Sequence, residues 1–376
     1  MGSEFAIPDD PDRVFFYSSQ GRESRPILRG KDAKTTFDSI PVIDVSSIMS
    51  DNLEERKRLA AAVDRAASEV GFFYFDNPPV DTRKMDTAFA AIKKLFALPS
   101  KEKMKVHVNN SPNGKGYAFR AQEEGHITNE SFGMGNDYTE PEQAATSGGM
   151  TSTIPLNRWP DEALPEFRAA IYEYWKEVHA FSRRLVGIFA LALGLDEHAL
   201  DHMFQEPLTD VTIQHYCKHP SDSYKPVLTP HSDYGAFTCL LQTEVGGLEV
   251  LNANAIWVPV PLREHAFVMN TGSHFEILSN GRWKATVHRV SGRGDIDRYS
   301  LPFFWGFDPT TVVTPLEKFR GETNLEPELA GREFAKGTFS TKPDHPVVAE
   351  MKARGLEFED YCYANLLHGK DPWVKG

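Results

Sequence analysis

His231-Ser232-Asp233-Tyr234-Gly235-Ala236-Phe237-Thr238-Cys239-Leu240-Leu241 sets an imidazole and a carboxylate two residues apart, just ahead of a short β-prone apolar run. Side chains i and i+2 of an extended segment point to the same side. His231 and Asp233 can therefore grip one metal ion together. A second imidazole, His288, lies in Trp283-Lys284-Ala285-Thr286-Val287-His288-Arg289-Val290, a partly alternating stretch that reads as another strand. After the turn-like Ser291-Gly292-Arg293-Gly294-Asp295, the pair Arg298 and Ser300 repeats the i, i+2 spacing. Two imidazoles and one carboxylate on one face of an ion, with the opposite face open, suit ferrous iron in O2 chemistry. A guanidinium clamps a carboxylate through two hydrogen bonds, and a hydroxyl adds a third donor.

Charge counting suggests which carboxylate. Fe(II) brings +2, Asp233 −1, a chelating dicarboxylic 2-oxo acid −2 and Arg298 +1, and the sum is zero. A neutral cluster can be buried without the penalty of an unpaired charge. The chain therefore holds the charges needed to bury 2-oxoglutarate.

From Ile40 to about Pro309 the chain resembles the Fe(II)/2-oxoglutarate-dependent dioxygenases of the isopenicillin N synthase-like superfamily. The resemblance rests on His-x-Asp, a distant His and Arg-x-Ser in that order. It also rests on Ile40-Pro41-Val42-Ile43-Asp44, Val70-Gly71-Phe72-Phe73-Tyr74-Phe75, Leu95-Phe96-Ala97-Leu98-Pro99, Gly246-Gly247-Leu248-Glu249-Val250 and Phe275-Glu276-Ile277-Leu278-Ser279-Asn280-Gly281. Gln214-His215-Tyr216 stands where the family often has Asn-x-Tyr. The resemblance implies His231, Asp233 and His288 as iron ligands. It implies Arg298 and Ser300 on the distal carboxylate of 2-oxoglutarate, with Tyr216 as a third contact. It implies Fe(II), 2-oxoglutarate and O2 as reactants, ascorbate as a stimulant, and release of succinate and CO2. Two departures bear on subfamily. Asp76-Asn77-Pro78-Pro79 replaces the usual Asn-His-Gly, and Gly272-Ser273-His274 replaces a stretch that often reads Gly-Asp. Asp233 is intact, which argues against a halogenase, where chloride takes the place of the carboxylate.

The plainer readings weigh differently for single residues and for the set. A lone His-x-Asp, a lone His288 or a lone Arg-x-Ser is most often a surface or packing feature. It is their combination that points to a site. His126, His179, His202, His215, His219, His265 and His274 read as surface or structural, and His274 is the one to watch because it lies near the expected site.

Composition agrees with a water-soluble enzyme. The chain has 376 residues, 40% of them hydrophobic and 25% charged, which is ordinary globular usage. A net charge of −12 argues against a nucleic-acid surface. No apolar run approaches a membrane span, and the start lacks the apolar core of a signal peptide. Cys217, Cys239 and Cys362 are too scattered for a disulfide framework. The expectation is a cytoplasmic monomer or weak homodimer that meets a small-molecule substrate, with neither nucleic acid nor membrane as partner. Met1-Gly2-Ser3-Glu4-Phe5 reads as a cloning remnant.

A helical first half precedes a β-rich second half. One helix is expected from Asn52 to Val70 behind Ser50-Asp51. A second is expected from Asp81 with Met85, Phe89, Ile92 and Phe96 in register. A third starts near Pro165, with the stripe Phe167, Ile171, Tyr174, Val178, Phe181, Leu185, Ile188 and Ala192, and stops at Gly194. Strands follow from Val211 to Phe307. The expected fold is mixed α and β, a double-stranded β-helix (jelly roll) backed by N-terminal helices. The parts are an arm at 1–36, a helix-rich region at 37–205, a catalytic jelly-roll core at 206–310 and a C-terminal extension at 311–376, all in one integrated domain. Asn109 to Met150 reads as long loops that could form a lid. In the extension, Phe358, Tyr361, Cys362 and Leu366 fall at helical spacing.

Substrate walls are expected from Tyr117, Phe119, Tyr234, Phe304 and the C-terminal segment, which suggests an apolar or cyclic molecule from secondary metabolism. Hydroxylation is the expected outcome, though desaturation, epoxidation and cyclisation use the same residues. Three alternatives stay open. They are an oxidase of the same superfamily that dispenses with 2-oxoglutarate, a zinc hydrolase, and a non-catalytic binding protein on this fold.

Overall fold

The run Phe72–Asp76 is apolar on successive residues because both of its faces are covered. Phe73 and Phe75 pack into the helix-backed core, and Phe72 and Tyr74 into a second core between two sheets. The computed structural model describes residues 10–18, 21–111, 114–121, 127–145, 156–218, 226–243, 245–291, 296–308 and 311–320. The strands are β1 (Arg13–Ser18), β2 (Gly21–Pro26), β3 (Val42–Asp44), β4 (Phe72–Asp76), β5 (Gly116–Ala121), β6 (Ile127–Gly135) and β7 (Thr209–Tyr216). They continue as β8 (Pro226–His231), β9 (Phe237–Gln242), β10 (Leu248–Leu251), β11 (Trp257–Pro259), β12 (Phe267–Thr271), β13 (His288–Ser291) and β14 (Arg298–Trp305). The minor sheet runs β11-β10-β13-β8-β1-β2 and the major sheet β3-β4-β12-β9-β14-β7-β6-β5. The two facing sheets make the jelly roll, and mostly antiparallel pairing lets each strand carry one core-facing and one site-facing set of side chains.

Helices α1 (Leu53–Glu69), α2 (Thr82–Ala97) and α5 (Glu166–Ala192) cover the outer face of the major sheet. Between α2 and α5 in sequence come the short α3 (Ser100–Lys105) and α4 (Pro141–Ala144), and α6 (Ser273–Leu278) follows β12. Every residue of the expected α5 stripe, from Phe167 to Ala192, is buried. Gly194 takes φ +68°, a conformation that costs a glycine nothing at a helix end. The cap of α1 is Asn52, whose side chain accepts from Glu54 N at 3.0 Å, rather than Ser50 or Asp51.

Two expectations need correction. The Asn109-to-Met150 region contains β5, β6 and α4 among its described residues, so it extends the major sheet rather than forming loops throughout. The segment Trp283–Val287 is not a strand. Its polar groups are spent on α1 and the turn after it: Trp283 Nε1 donates to Asp64, Lys284 N to Ala67 O, and Thr286 Oγ1 to Val70 O. Within the N-terminal arm, β1 and β2 add a hairpin to the minor sheet. The C-terminal face from Phe358 to Leu366 lies outside the described residues.

Behind the major sheet lies a buried polar cluster. Glu130 on β6 accepts from Lys103 Nζ, from Tyr117 Oη at 2.6 Å and from His215 Nδ1 at 2.9 Å. His215 Nε2 reaches Asp297 at 3.2 Å. Burial pushes the Glu130 carboxyl up, but His215, Lys103 and Tyr117 outweigh it and bring it to about 2. Burial works against a charged His215, but Cys217, Glu130 and Asp297 outweigh it and raise the ring to about 9.

Glu130→Ala leaves a lysine and an imidazolium without their shared counter-charge. The expected loss is about 3–5 kcal/mol in urea unfolding. The contribution of Glu130 is present above its ordinary 4.5 and lost as pH falls toward 2. That of His215 is present below its ordinary 6.5 and lost as pH rises through 9. The stability profile of the variant should therefore lack much of the acid limb, and an unchanged profile refutes this account.

Candidate metal and cosubstrate site

The two imidazoles meet because their strands pair. His288 on β13 stands directly opposite His231 on β8, and the ring centroids are 4.2 Å apart. Asp233 arrives differently from the expected strand alternation, since β8 ends at His231. Asp233 sits in the following loop, held from the major sheet. Its Oδ2 accepts from Thr238 Oγ1 on β9 at 2.6 Å and from Asn270 Nδ2 on β12 at 2.7 Å. Its Oδ1 lies 3.7 Å from His231 Nε2 and 3.6 Å from His288 Nε2.

The donor chemistry suits a divalent ion. His231 Nδ1 faces Thr229 O at 2.9 Å, and His288 Nδ1 faces Thr286 O at 3.2 Å. Each Nδ1 carries the proton for that bond, so each Nε2 lone pair is turned toward Asp233. Burial and the neighbouring His288 hold His231 below its ordinary value. Burial opposes the Asp233 charge, yet His288, His231, Thr238 and Asn270 together keep it a carboxylate. All the ligand atoms lie within 4.8 Å of one another. Bonds of about 2.1 Å at right angles need donors about 3 Å apart, so the two distances from Asp233 Oδ1 would shorten by about 0.6–0.7 Å.

The cosubstrate residues share one face of the major sheet. Arg298 on β14 is paired with Tyr216 on β7, and Ser300 with Gln214. Arg298 is 3% exposed. Its Nη2 donates to Gln242 Oε1 at 2.8 Å, while Nε and Nη1 have no hydrogen-bond partner among the described residues. The Tyr216 ring centroid lies 4.9 Å from the guanidinium carbon, and burial raises the Tyr216 phenol while Arg298 and Ser300 pull it down. A buried cation with two unanswered donors is suited to receive an anion.

Of the expected substrate contacts, Phe304 lies on the same face as Arg298 and Ser300, paired across β9 with the Thr238 that holds Asp233. Tyr234 follows Asp233 and packs edge-on against His274 at 4.9 Å. Tyr117 and Phe119 are on the wrong side of β5. They share a face with Glu130 and His215, Tyr117 is in the helix-backed core, and Phe119 stacks on it toward His107. His274 packs as a structural residue between Tyr234 and Phe307, kept neutral by burial. Thr238, Asn270 and Gln242 escaped the sequence analysis. Only Gln242, next to a family-like stretch, carried any local signal. A second cluster, Glu130, His215 and Cys217, also brings ligand atoms together, but both Glu130 oxygens already have partners, Lys103 Nζ and Tyr117 Oη on one and His215 Nδ1 on the other.

Residues 40–162 match the family model for the N-terminal part of non-haem dioxygenases in morphine synthesis. Residues 208–306 match the 2OG-Fe(II) oxygenase superfamily. The 2-oxoglutarate-Fe(II) type oxidoreductase ppzC of Metarhizium majus is 30% identical over 86% of this chain and 92% of its own length. The chain belongs to the 2-oxoglutarate–Fe(II) oxygenase superfamily. Isopenicillin N synthase of Penicillium rubens is 29% identical over 82% of the chain and 97% of its own. Among solved folds, the dioxygenase for auxin oxidation in rice superposes with a TM-score of 0.62 at 23% identity, covering 87% of this chain and 99% of its own. JOX2 in complex with 2OG, Fe and JA gives 0.63 at 23% identity, covering 93% of each. Among the described residues, no helix of this oxygenase is long and apolar enough to cross a membrane.

Because Thr238 and Asn270 fix the Asp233 carboxylate, Asn270→Ala or Thr238→Val should weaken Co(II) binding by about 10–100-fold in anaerobic calorimetry. Unchanged affinity in both variants rules out the anchoring role.

Proposed function

We propose that His231, Asp233 and His288 hold Fe(II), and that Arg298, Ser300 and Tyr216 hold the distal carboxylate of 2-oxoglutarate. The substrate is a small apolar or cyclic metabolite of secondary metabolism, and hydroxylation is the reaction. Tyr234 and Phe304 are the substrate contacts retained from the sequence. The protein works in the cytoplasm as a monomer or weak homodimer, without nucleic acid, in one integrated domain. The observation that carries this reading is the buried, half-satisfied guanidinium of Arg298, on the sheet that also anchors Asp233.

Bound iron would couple decarboxylation of 2-oxoglutarate to substrate oxidation, so that 2-oxoglutarate, O2 and R–H give succinate, CO2 and R–OH. The chain supplies geometry and charge. The carbonyls of Thr229 and Thr286 set the imidazole tautomers. Gln242 orients Arg298, leaving Nε and Nη1 for the cosubstrate. Phe72 packs edge-on against His288 and limits water on that side. A relative that takes all its electrons from substrate retains the Arg-x-Ser pair and can meet it with a substrate carboxylate, so succinate formation, not Arg298, separates the 2-oxoglutarate reading from the oxidase alternative.

Anaerobic addition of Fe(II) and 2-oxoglutarate should produce a weak visible charge-transfer band that is absent in His288→Ala. Wild-type protein without the band is incompatible with this proposal. With a turned-over substrate, succinate should form in step with product, whereas product without succinate identifies the oxidase. Arg298→Ala should shift the band titration to at least about tenfold higher 2-oxoglutarate, and a titration like wild type removes Arg298 from the cosubstrate site.

A further inference from the structure

The hairpin β1–β2 precedes both family-matched segments, 40–162 and 208–306, yet it is built onto the strand that carries His231. Tyr17 on β1 is the parallel partner of His231, and its carbonyl accepts from Ser232 N at 2.9 Å. Directly paired residues emerge on one face of a sheet. Phe16 checks the alternation, since it packs on the opposite face with Leu251, Ala255 and Val287. Tyr17 and Phe15 therefore share the face of the His231 ring. Both are only partly buried.

A cation is placed at the far edge of the other sheet. Arg120 on β5 pairs with Asn129, Asn129 with Tyr216, and Tyr216 with Arg298. These four residues form one row across four adjacent strands, so Arg120 lies on the site-facing side that Tyr117 and Phe119 do not. Its charge is close enough to act on both Tyr216 and His231.

We propose that Tyr17 and Phe15 of the N-terminal hairpin, with Arg120 of β5, form the substrate subsite of this oxygenase, selective for a cyclic or aromatic body bearing a carboxylate. The aromatic side chains offer flat apolar contact beside the metal group. The guanidinium offers a charge-assisted clamp at the end of the row that starts with Arg298. The cosubstrate and the substrate carboxylate would thus be held by two cations on one sheet face, the cosubstrate at the inner and the substrate at the edge position. This subsite rests on the iron and 2-oxoglutarate reading above.

The test uses full-length protein with Fe(II) and saturating 2-oxoglutarate under anaerobic conditions, and follows the visible band. The probes are phenylacetate, cyclohexylacetate and 1-naphthylacetate, each against its neutral amide. At least one acid should shift the band at about tenfold lower concentration than its amide. Arg120→Gln should abolish that preference, and Tyr17→Ala should weaken acid and amide alike by about five- to tenfold while keeping their ratio. An unshifted 2-oxoglutarate titration in both variants shows that they fold. The subsite is overturned if no probe shifts the band, if acid and amide act alike, if an acid merely abolishes the band by displacing 2-oxoglutarate, if Arg120→Gln keeps the preference, or if Tyr17→Ala binds like wild type. Absence of the band in wild-type protein before any probe is added overturns the iron reading instead, which separates the two failures.

Discussion

The carboxylate of Asp233 is where the two sheets are tied together. One oxygen is held by Thr238 and Asn270 of the major sheet, and the other faces two imidazoles of the minor sheet. Neither sheet alone brings all three donors to one point. The loop that carries Asp233 is clamped as well. Ser273 donates to Asp233 O through both its backbone N and its hydroxyl, and Gly272 N donates to Ala236 O. A Cβ at Gly272 would lie 2.2 Å from Gly235 O, so only glycine lets the two segments approach this closely. The local departure Gly272-Ser273-His274 is thus part of the support for the carboxylate.

The same major sheet carries opposite electrostatics on its two faces, and strand alternation is the reason. On β7, His215 points to the helices and joins Glu130 and Lys103, where charges are paired and closed off. Tyr216, the next residue, points inward to Arg298, where the charge is left partly unanswered. A satisfied buried network stiffens a core, while a buried guanidinium with two free donors stores a demand for an anion. The ionic cluster on one face links β6 and β7, the strands that carry Asn129 and Tyr216 on the other.

Legibility followed period and pairing. The apolar stripes of α1, α2 and α5 and the spacing of Arg298 and Ser300 were readable because each depends on near neighbours. Asp233 was read correctly as a neighbour of His231 but for an incomplete reason. Its position comes from Thr238 and Asn270, which are distant partners that no local pattern announces. Tyr117 and Phe119 failed because β5 lies in a Gly- and Asn-rich stretch that reads as loop. Without a strand there is no parity, and without parity the inward residue, Arg120, cannot be told from its aromatic neighbours. Trp283–Val287 failed for the converse reason. Its composition is β-prone, but its hydrogen bonds go to α1 and the turn after it.

The division between shared and particular residues follows from the topology. The groups that would handle iron and the cosubstrate lie on central strands, β8, β13, β14 and β7, or just beyond β8, where each strand is held on both sides. A change there must satisfy two neighbours at once, so the chemistry is constrained. The edges are different. β5 closes one end of the major sheet, and the β1–β2 hairpin closes one end of the minor sheet. An edge strand has one free side, so its side chains can change without breaking a second register. Arg120 stands on one of these edges and Tyr17 one strand in from the other, between β2 and β8; Arg120 is coupled to the centre through the row to Arg298 and Tyr17 through its pairing with His231. An oxygenase arranged this way can alter what it binds by rebuilding its edges while the oxidising centre stays as it is.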